Sequence, residues 1–176
     1  SADVAYTLSK RRCKFLYKTF AVVYSTSPAN GLDPHAFISK KSLSSQSVAV
    51  GFTFTGRGAQ WEGMGVGLLE YAQFKSSLIA QESILSKLSF SPHWSLENIM
   101  SGSSNFSVKQ PGTSQTVCTA LQIALADLLQ SWGVTPDFTL GYSSGEIAAA
   151  YTAGHISMAE AITTAYCRGK SIESNN

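Results

Sequence analysis

The chain has 176 residues, 44% of them hydrophobic and 14% charged, with 13 basic and 11 acidic side chains and a net charge of +2. That length holds one domain or slightly more, and this apolar content with so little net charge excludes a disordered chain. The charge gives no global case for nucleic acid or an anionic membrane surface, and no apolar run approaches the roughly 18 residues of a membrane span.

The N-terminus, Ser1 to Val4, lacks both Met and a signal pattern and reads as a start in mid-protein. Asp3 to Arg12 has helical composition, and Phe15 to Tyr24, rich in aromatic and β-branched residues, reads as a strand. Ser25 to Leu32 is a loop, Asp33-Pro34 could open a short helix, and the Ser-rich stretch from Ser42 to Ser47 reads as a linker. This places a boundary near Ser45, with a small piece over 1–45 and the larger one over 46–176. Val48 to Phe54 is a short apolar run suited to a buried strand, and it breaks into the glycine-rich turn Gly56-Arg57-Gly58-Ala59-Gln60. Met64 to Leu88 has periodicity enough for two helices, and Ser91 to Gly112 is polar and irregular, with one short helix near Leu96.

Thr113 to Trp132 is the strongest helix, with Val117, Leu121, Ala124, Leu125, Leu128 and Leu129 on one face and Gly133 placed as its C-terminal cap. A strand from Asp137 to Leu140 follows, then Gly141 to Gly145 and an Ala-rich helix from Glu146 to Ala153. Ser157-Met158-Ala159-Glu160 is a capping box that should start a last helix running to about Lys170. Ser171 to Asn176 follows that pattern with no closing element. Strands alternating with helices predict an α/β fold with a mostly parallel, partly formed doubly wound sheet. Cys13, Cys118 and Cys167 are an odd set without C-x-x-C spacing, which reads as reduced thiols of an intracellular protein and supports neither a disulfide framework nor a metal site.

Gly141-Tyr142-Ser143-Ser144-Gly145 is G-x-S-x-G, which is weak alone but here follows a strand and opens a helix. In that setting a serine sits on a strained turn with its oxygen exposed, the flanking glycines let the turn close, and the helix N-terminus stabilises a developing oxyanion. The plain alternative is a strand–helix loop with surface serines. The Gly56 to Gln60 turn also ends a strand, so both turns could face one another beyond the strand C-termini, and backbone N–H groups of Arg57 and Ser144 could form an oxyanion hole. A mere turn or a phosphate loop is the alternative there, although the nucleotide-binding G-x-x-x-x-G-K-[ST] is absent.

Three segments carry a family resemblance: F-T-G-R-G-A-Q-W-E-G-M-G (54–65), C-T-A-L-Q-I-A-L-A-D-L-L-Q-S-W-G-V-T-P (118–136) and G-Y-S-S-G-E-I-A-A-A-Y-T-A-G (141–154). With them the chain resembles the acyltransferase domain of polyketide synthases, most of all the iterative reducing type of filamentous fungi. D-V-A-Y-T-L-S-K-R-R-C-K-F (3–15) is similar to the linker joining ketosynthase to acyltransferase. The resemblance implies transfer of a malonyl group from coenzyme A to the phosphopantetheine arm of an acyl carrier protein, with no bound cofactor, a cytoplasmic setting and neighbouring ketosynthase and other domains as partners. It implies Ser143 as nucleophile, Arg168 as the clamp on the malonyl carboxylate, and Gln115 as a pocket residue. A surface arginine near a helix C-terminus is the alternative for Arg168.

The chain departs from the family pattern in three places. Arg57 stands where the family has Gln, and Tyr142, beside the nucleophile in the substrate-binding region, stands where it has His. The family's base is a histidine well downstream, and His35, His93 and His155 all read as loop or surface residues. The chain is therefore expected to hold the nucleophile-bearing portion of the domain without its base, and to be poorly active and marginally stable alone. The basic cluster Lys10, Arg11, Arg12, Lys14 and Lys18 reads as a solvated linker face, and Glu146 as a helix-start charge. A non-catalytic binding module that keeps part of the fold, and a serine esterase, are the competing functions.

Overall fold

The computed structural model describes residues 2–12, 15, 17–20, 35, 37–41, 49–105 and 107–174. It divides into two compact units, Ser1–Val48 and Ala49–Asn176. The expected boundary near Ser45, the loop from Ser25 to Leu32, the Asp33-Pro34 helix start, Cys13 and Lys14 lie outside the described residues.

In the first unit, α1 spans Ala2–Lys10, with Asp3 in its first turn and Lys10 in its last, each favourable toward the helix dipole. β1 (Tyr17–Phe20) pairs antiparallel with β2 (Ile38–Lys41), with Tyr17 opposite Lys41 and Phe20 opposite Ile38. Of the predicted Phe15–Tyr24 strand, Tyr17–Phe20 form β1 and Phe15 lies outside it.

The second unit is built on a parallel pair, β3 (Gly51–Phe54) and β4 (Phe138–Gly141), in register from Gly51 opposite Phe138 to Phe54 opposite Gly141. Parallel neighbours need a crossover, and helices supply it. In chain order these are α2 (Ala72–Ser86), α3 (Leu96–Met100) and α4 (Pro111–Ser131). Val50 and Asp137 extend the pairing at its start: the Val50 N–H donates to the Asp137 carboxylate, and the Asp137 N–H donates to the Val50 carbonyl, each at 2.7 Å. After β4 come α5 (Gly145–Thr152) and α6 (Met158–Ser174).

One expectation fails between Met64 and Leu88. The first of the two predicted helices is a series of turns around a short 3-10 turn, Val66–Leu68, and only α2 is a full helix. Gly63, Gly65 and Gly67 explain this, since glycine pays the largest backbone entropy in a helix. Gly65 also packs so close to Met100 that a Cβ there would stand 2.7 Å from the Met100 Cβ.

The helix α4 holds the unit together, and it is buried on two sides rather than on the single predicted stripe. Val117, Ala120, Ala124 and Leu128 join Phe74, Leu78, Leu85, Ile99, Ile162 and Tyr166 in one core. Ile123 and Ala126 join Phe54, Ile147, Ala148, Ala161 and Ala165 in another. Burying a side chain of Leu or Phe size stabilises by roughly 1.5–3 kcal/mol, so these two cores are the main favourable term. Gly133 ends α4 as expected: it has φ of +79°, and the N–H of Val134 donates back to the Leu129 carbonyl at 3.0 Å.

Candidate active site

The chain leaves β4 at Gly141 and enters α5 at Gly145, and between them Ser143 takes a backbone φ of +54°. Among the described residues it is the only non-glycine residue with positive φ. The neighbours explain how the turn closes. A Cβ on Gly141 would collide with the Glu146 backbone, and one on Gly145 would collide with the Phe54 carbonyl. The turn is held by the N–H of Tyr142 donating to the Phe54 carbonyl at 2.9 Å and by that of Gly145 donating to the Tyr142 carbonyl at 2.9 Å. Ser143 is left exposed, while Ser144, the residue that precedes α5, is 2% exposed.

The two glycine-rich turns meet. Gly56 is buried, and a Cβ there would lie 2.9 Å from the Tyr142 carbonyl oxygen and 3.1 Å from the Ser143 Cβ. Next to it, Arg57 is exposed. The side chain of Gln60 folds back so that its Oε1 accepts from the Gly58 N–H at 2.7 Å and from the Cys118 Sγ–H at 3.5 Å. From α4, Gln122 Nε2 donates to the Thr55 carbonyl at 2.7 Å. The turn is thus fastened to α4 on both sides. Among the described residues the backbone N–H groups of Arg57 and Ser144 donate no hydrogen bond. They are available as donors beside an exposed serine at a helix start, which is the composition of an oxyanion site.

The other expected site residues take different positions. Gln115 lies in the first turns of α4, 3% exposed, and its Oε1 has no hydrogen-bond partner among the described residues. Arg168 stands exposed on α6, and among the described residues its guanidinium makes no hydrogen bond or ion pair. Tyr142 projects outward beside Ser143 with 76% exposure. A groove of about 380 Å³ runs along β3 and α4, lined by Phe52, Phe54, Met64, Leu121 and Leu125, and Ser143, Gln115 and Arg168 do not line it. His155 sits past the far end of α5, its N–H donating to the Ala150 carbonyl at 2.9 Å, and His93 is exposed in the segment before α3.

Cys118 is buried against the Gln60 turn, and burial pushes its thiol up to about 11, which makes it a poor nucleophile at neutral pH. Asp127 on α4 accepts from Tyr151 of α5 at 2.9 Å and from Ser77 of α2 at 2.6 Å. Burial, followed by Asp127, raises the Tyr151 hydroxyl above the ordinary tyrosine value. Sequence reading missed Gln60, Gln122 and Asp127. Their partners lie far along the chain or depend on a side chain folding back, and only Gln60, two residues past Gly58, left a local signal.

Comparison with known proteins identifies the family of the chain. The family model for the acyl transferase domain matches residues 51–176. The chain is 48% identical over 177 aligned residues to prosolanapyrone synthase of Alternaria solani, an alignment covering 99% of this chain and 7% of that protein. It is similar to the solved acyl transferase domain of ZmaA, with a TM-score of 0.80 at 26% identity over 98% of this chain and 41% of the other. It is also similar to the malonyl-CoA:ACP transacylase of a Synechocystis species, with a TM-score of 0.62 at 30% identity over 72% of this chain and 41% of that one. The mixed α/β architecture with its parallel pair is the one these domains share, and the chain belongs to the acyl transferase domain family.

Proposed function

We propose that this chain carries the nucleophile of an acyltransferase that takes a malonyl-type group from coenzyme A and passes it to the phosphopantetheine thiol of an acyl carrier protein in polyketide assembly. The observation that carries this reading is the Ser143 turn: an exposed hydroxyl on a left-handed backbone, with the unengaged N–H groups of Arg57 and Ser144 beside it. The serine oxygen attacks the thioester carbonyl, and its proton passes to a base. The carbonyl oxygen becomes an oxyanion that the two N–H groups receive. Collapse expels the coenzyme A thiolate, which takes up a proton, and leaves an ester on Ser143. The carrier thiol then attacks that ester and restores the serine. Arg168, planar and without an ion pair among the described residues, suits bidentate binding of the carboxylate at the far end of a malonyl group. A serine esterase has no use for such a group.

The base is the part that the described residues of the second unit do not supply. His155 lies at the opposite end of α5 from Ser143, and His93 is at the surface before α3. The reading therefore requires a proton acceptor from elsewhere in the polypeptide, and expects this stretch alone to acylate slowly, since loss of a triad-type base costs on the order of 10⁴–10⁶ in rate. Carrier protein and ketosynthase are the expected partners, in keeping with the polyketide synthases among its relatives.

The test is mass spectrometry of the intact polypeptide incubated with malonyl-CoA. A malonyl adduct on the peptide bearing Ser143, lost in Ser143→Ala, is the expected result. An adduct that persists in Ser143→Ala overturns the assignment of the nucleophile. A second reading, a non-catalytic binding module, draws on Arg57 and Tyr142, two bulky exposed side chains at the mouth of the turn. It gains if no adduct forms and malonyl-CoA is bound unchanged.

A further inference from the structure

The last turns of α6 are fastened to the first turn of α4 by three residues that no step of the proposed chemistry uses. The N–H of Gly112, one of the free donors at the start of α4, donates to Oε1 of Glu173 at 2.9 Å. A carboxylate there also meets the positive end of the dipole of a 21-residue helix. Gly112 and Gly169 meet backbone to backbone. A Cβ on Gly169 would stand 2.7 Å from the Gly112 carbonyl oxygen, and one on Gly112 would collide with the Glu173 carboxylate. That carbonyl also accepts from Thr116 Oγ1 at 3.1 Å. Both glycines are buried, so the crossing point is fixed in distance as well as direction.

The crossing sits close to the two side chains expected to handle the acyl group. Gln115 follows Gly112 by about one turn of α4, and Arg168 is the residue before Gly169 on α6. A slide of α6 along α4 moves Arg168 relative to Gln115 directly. Misplacement of a binding group by about 1 Å costs as much as a hundredfold.

We propose that Glu173 is a positioning residue for acyl-group selection: its bond to the Gly112 N–H, across the Gly112–Gly169 contact, sets where Arg168 stands and so sustains preference for an acyl group ending in a carboxylate. This rests on the reading that Arg168 binds that carboxylate. An acyl group without a carboxylate does not use Arg168 and is indifferent to the clamp.

The experiment compares acyl-enzyme formation from malonyl-CoA and from acetyl-CoA in the intact polypeptide. Glu173→Ala is expected to lower the rate of labelling from dilute malonyl-CoA about tenfold, the size of a lost charge-assisted hydrogen bond, while acetyl labelling stays within about twofold. Glu173→Gln keeps an oxygen that accepts from Gly112 and is expected to keep the malonyl-to-acetyl ratio. A parallel fall with both donors in Glu173→Ala, or no fall with either, overturns the proposal, because a purely structural residue does not separate the two. Selective malonyl loss in both variants also overturns it, since the charge and not the hydrogen bond then acts. Arg168→Ala separates this from the parent reading. A ratio unchanged by Arg168→Ala is failure of that reading. A ratio collapsed by Arg168→Ala but intact in Glu173→Ala is failure of this inference alone.

Discussion

Ser143 stores strain where the chemistry is expected. A residue with a Cβ at φ of +54° costs about 1–2 kcal/mol relative to its relaxed backbone, and it persists because the Tyr142 and Gly145 hydrogen bonds and the Gly56 contact over-determine the turn. Ser143→Gly and Ser143→Ala both delete the hydroxyl, but only glycine relieves the strain. Chemical denaturation is expected to find the glycine variant about 1 kcal/mol more stable than the alanine variant. Equal stabilities would mean that no strain is held there. The flanking glycines are subject to the opposite rule. Gly145→Ala drives a methyl into the Phe54 carbonyl, a backbone atom that cannot swing aside, so a loss of about 1–3 kcal/mol is expected together with loss of the Ser143 adduct.

Among the elements, α6 shows how a local sequence signal becomes a stability term. The N–H and Oγ of Ser157 each donate to Glu160 Oε2 at 2.8 Å, and the Glu160 N–H donates to Ser157 Oγ at 3.2 Å. The Ser157 backbone bond, then its hydroxyl, hold the Glu160 carboxyl below its ordinary value of 4.5. A depressed carboxyl stabilises the fold above the unfolded value and loses that contribution as pH falls through the folded one. Helicity of α6 is therefore expected to weaken on acidification below about pH 4.5, and Ser157→Ala is expected to cost about 0.5–2 kcal/mol at neutral pH while keeping much of that acid dependence, because the backbone N–H remains. A thermal melt against pH for the unmodified chain and for Glu160→Gln decides it; an acid slope unchanged by Glu160→Gln counts against the cap. Features of this kind were legible in sequence because they are local: the capping box, the Gly133 cap, the elbow and its helix. What was not legible is tertiary. No periodicity announces that Gln122 reaches Thr55, that Asp127 joins α2 to α5, or that Glu173 caps another helix. Between Met64 and Leu88 the glycines conflict with the helical apolar spacing around them, and the structure settles that conflict in favour of turns.

For the molecule as a whole, the sheet of the second unit is the least finished part. Parallel strands are ordinarily covered on both faces, yet among the described residues β3 and β4 pair only with each other. Phe138 and Leu140 of β4 are 59% and 61% exposed, and on the other side the apolar groove along β3 and α4 lies open. Unpaired strand edges flanked by apolar side chains are a template for association. This chain alone is therefore expected to self-associate as its concentration rises, with light scattering growing in the micromolar range. Leu140→Ser removes apolar surface that is already in water and should cost little stability. It is expected to shift the onset of scattering to higher concentration while leaving the melting temperature nearly unchanged. Scattering that stays flat with concentration in the unmodified chain would show that these faces are not adhesive. An onset that Leu140→Ser leaves in place would move the adhesive surface away from the β4 face, toward the groove along β3.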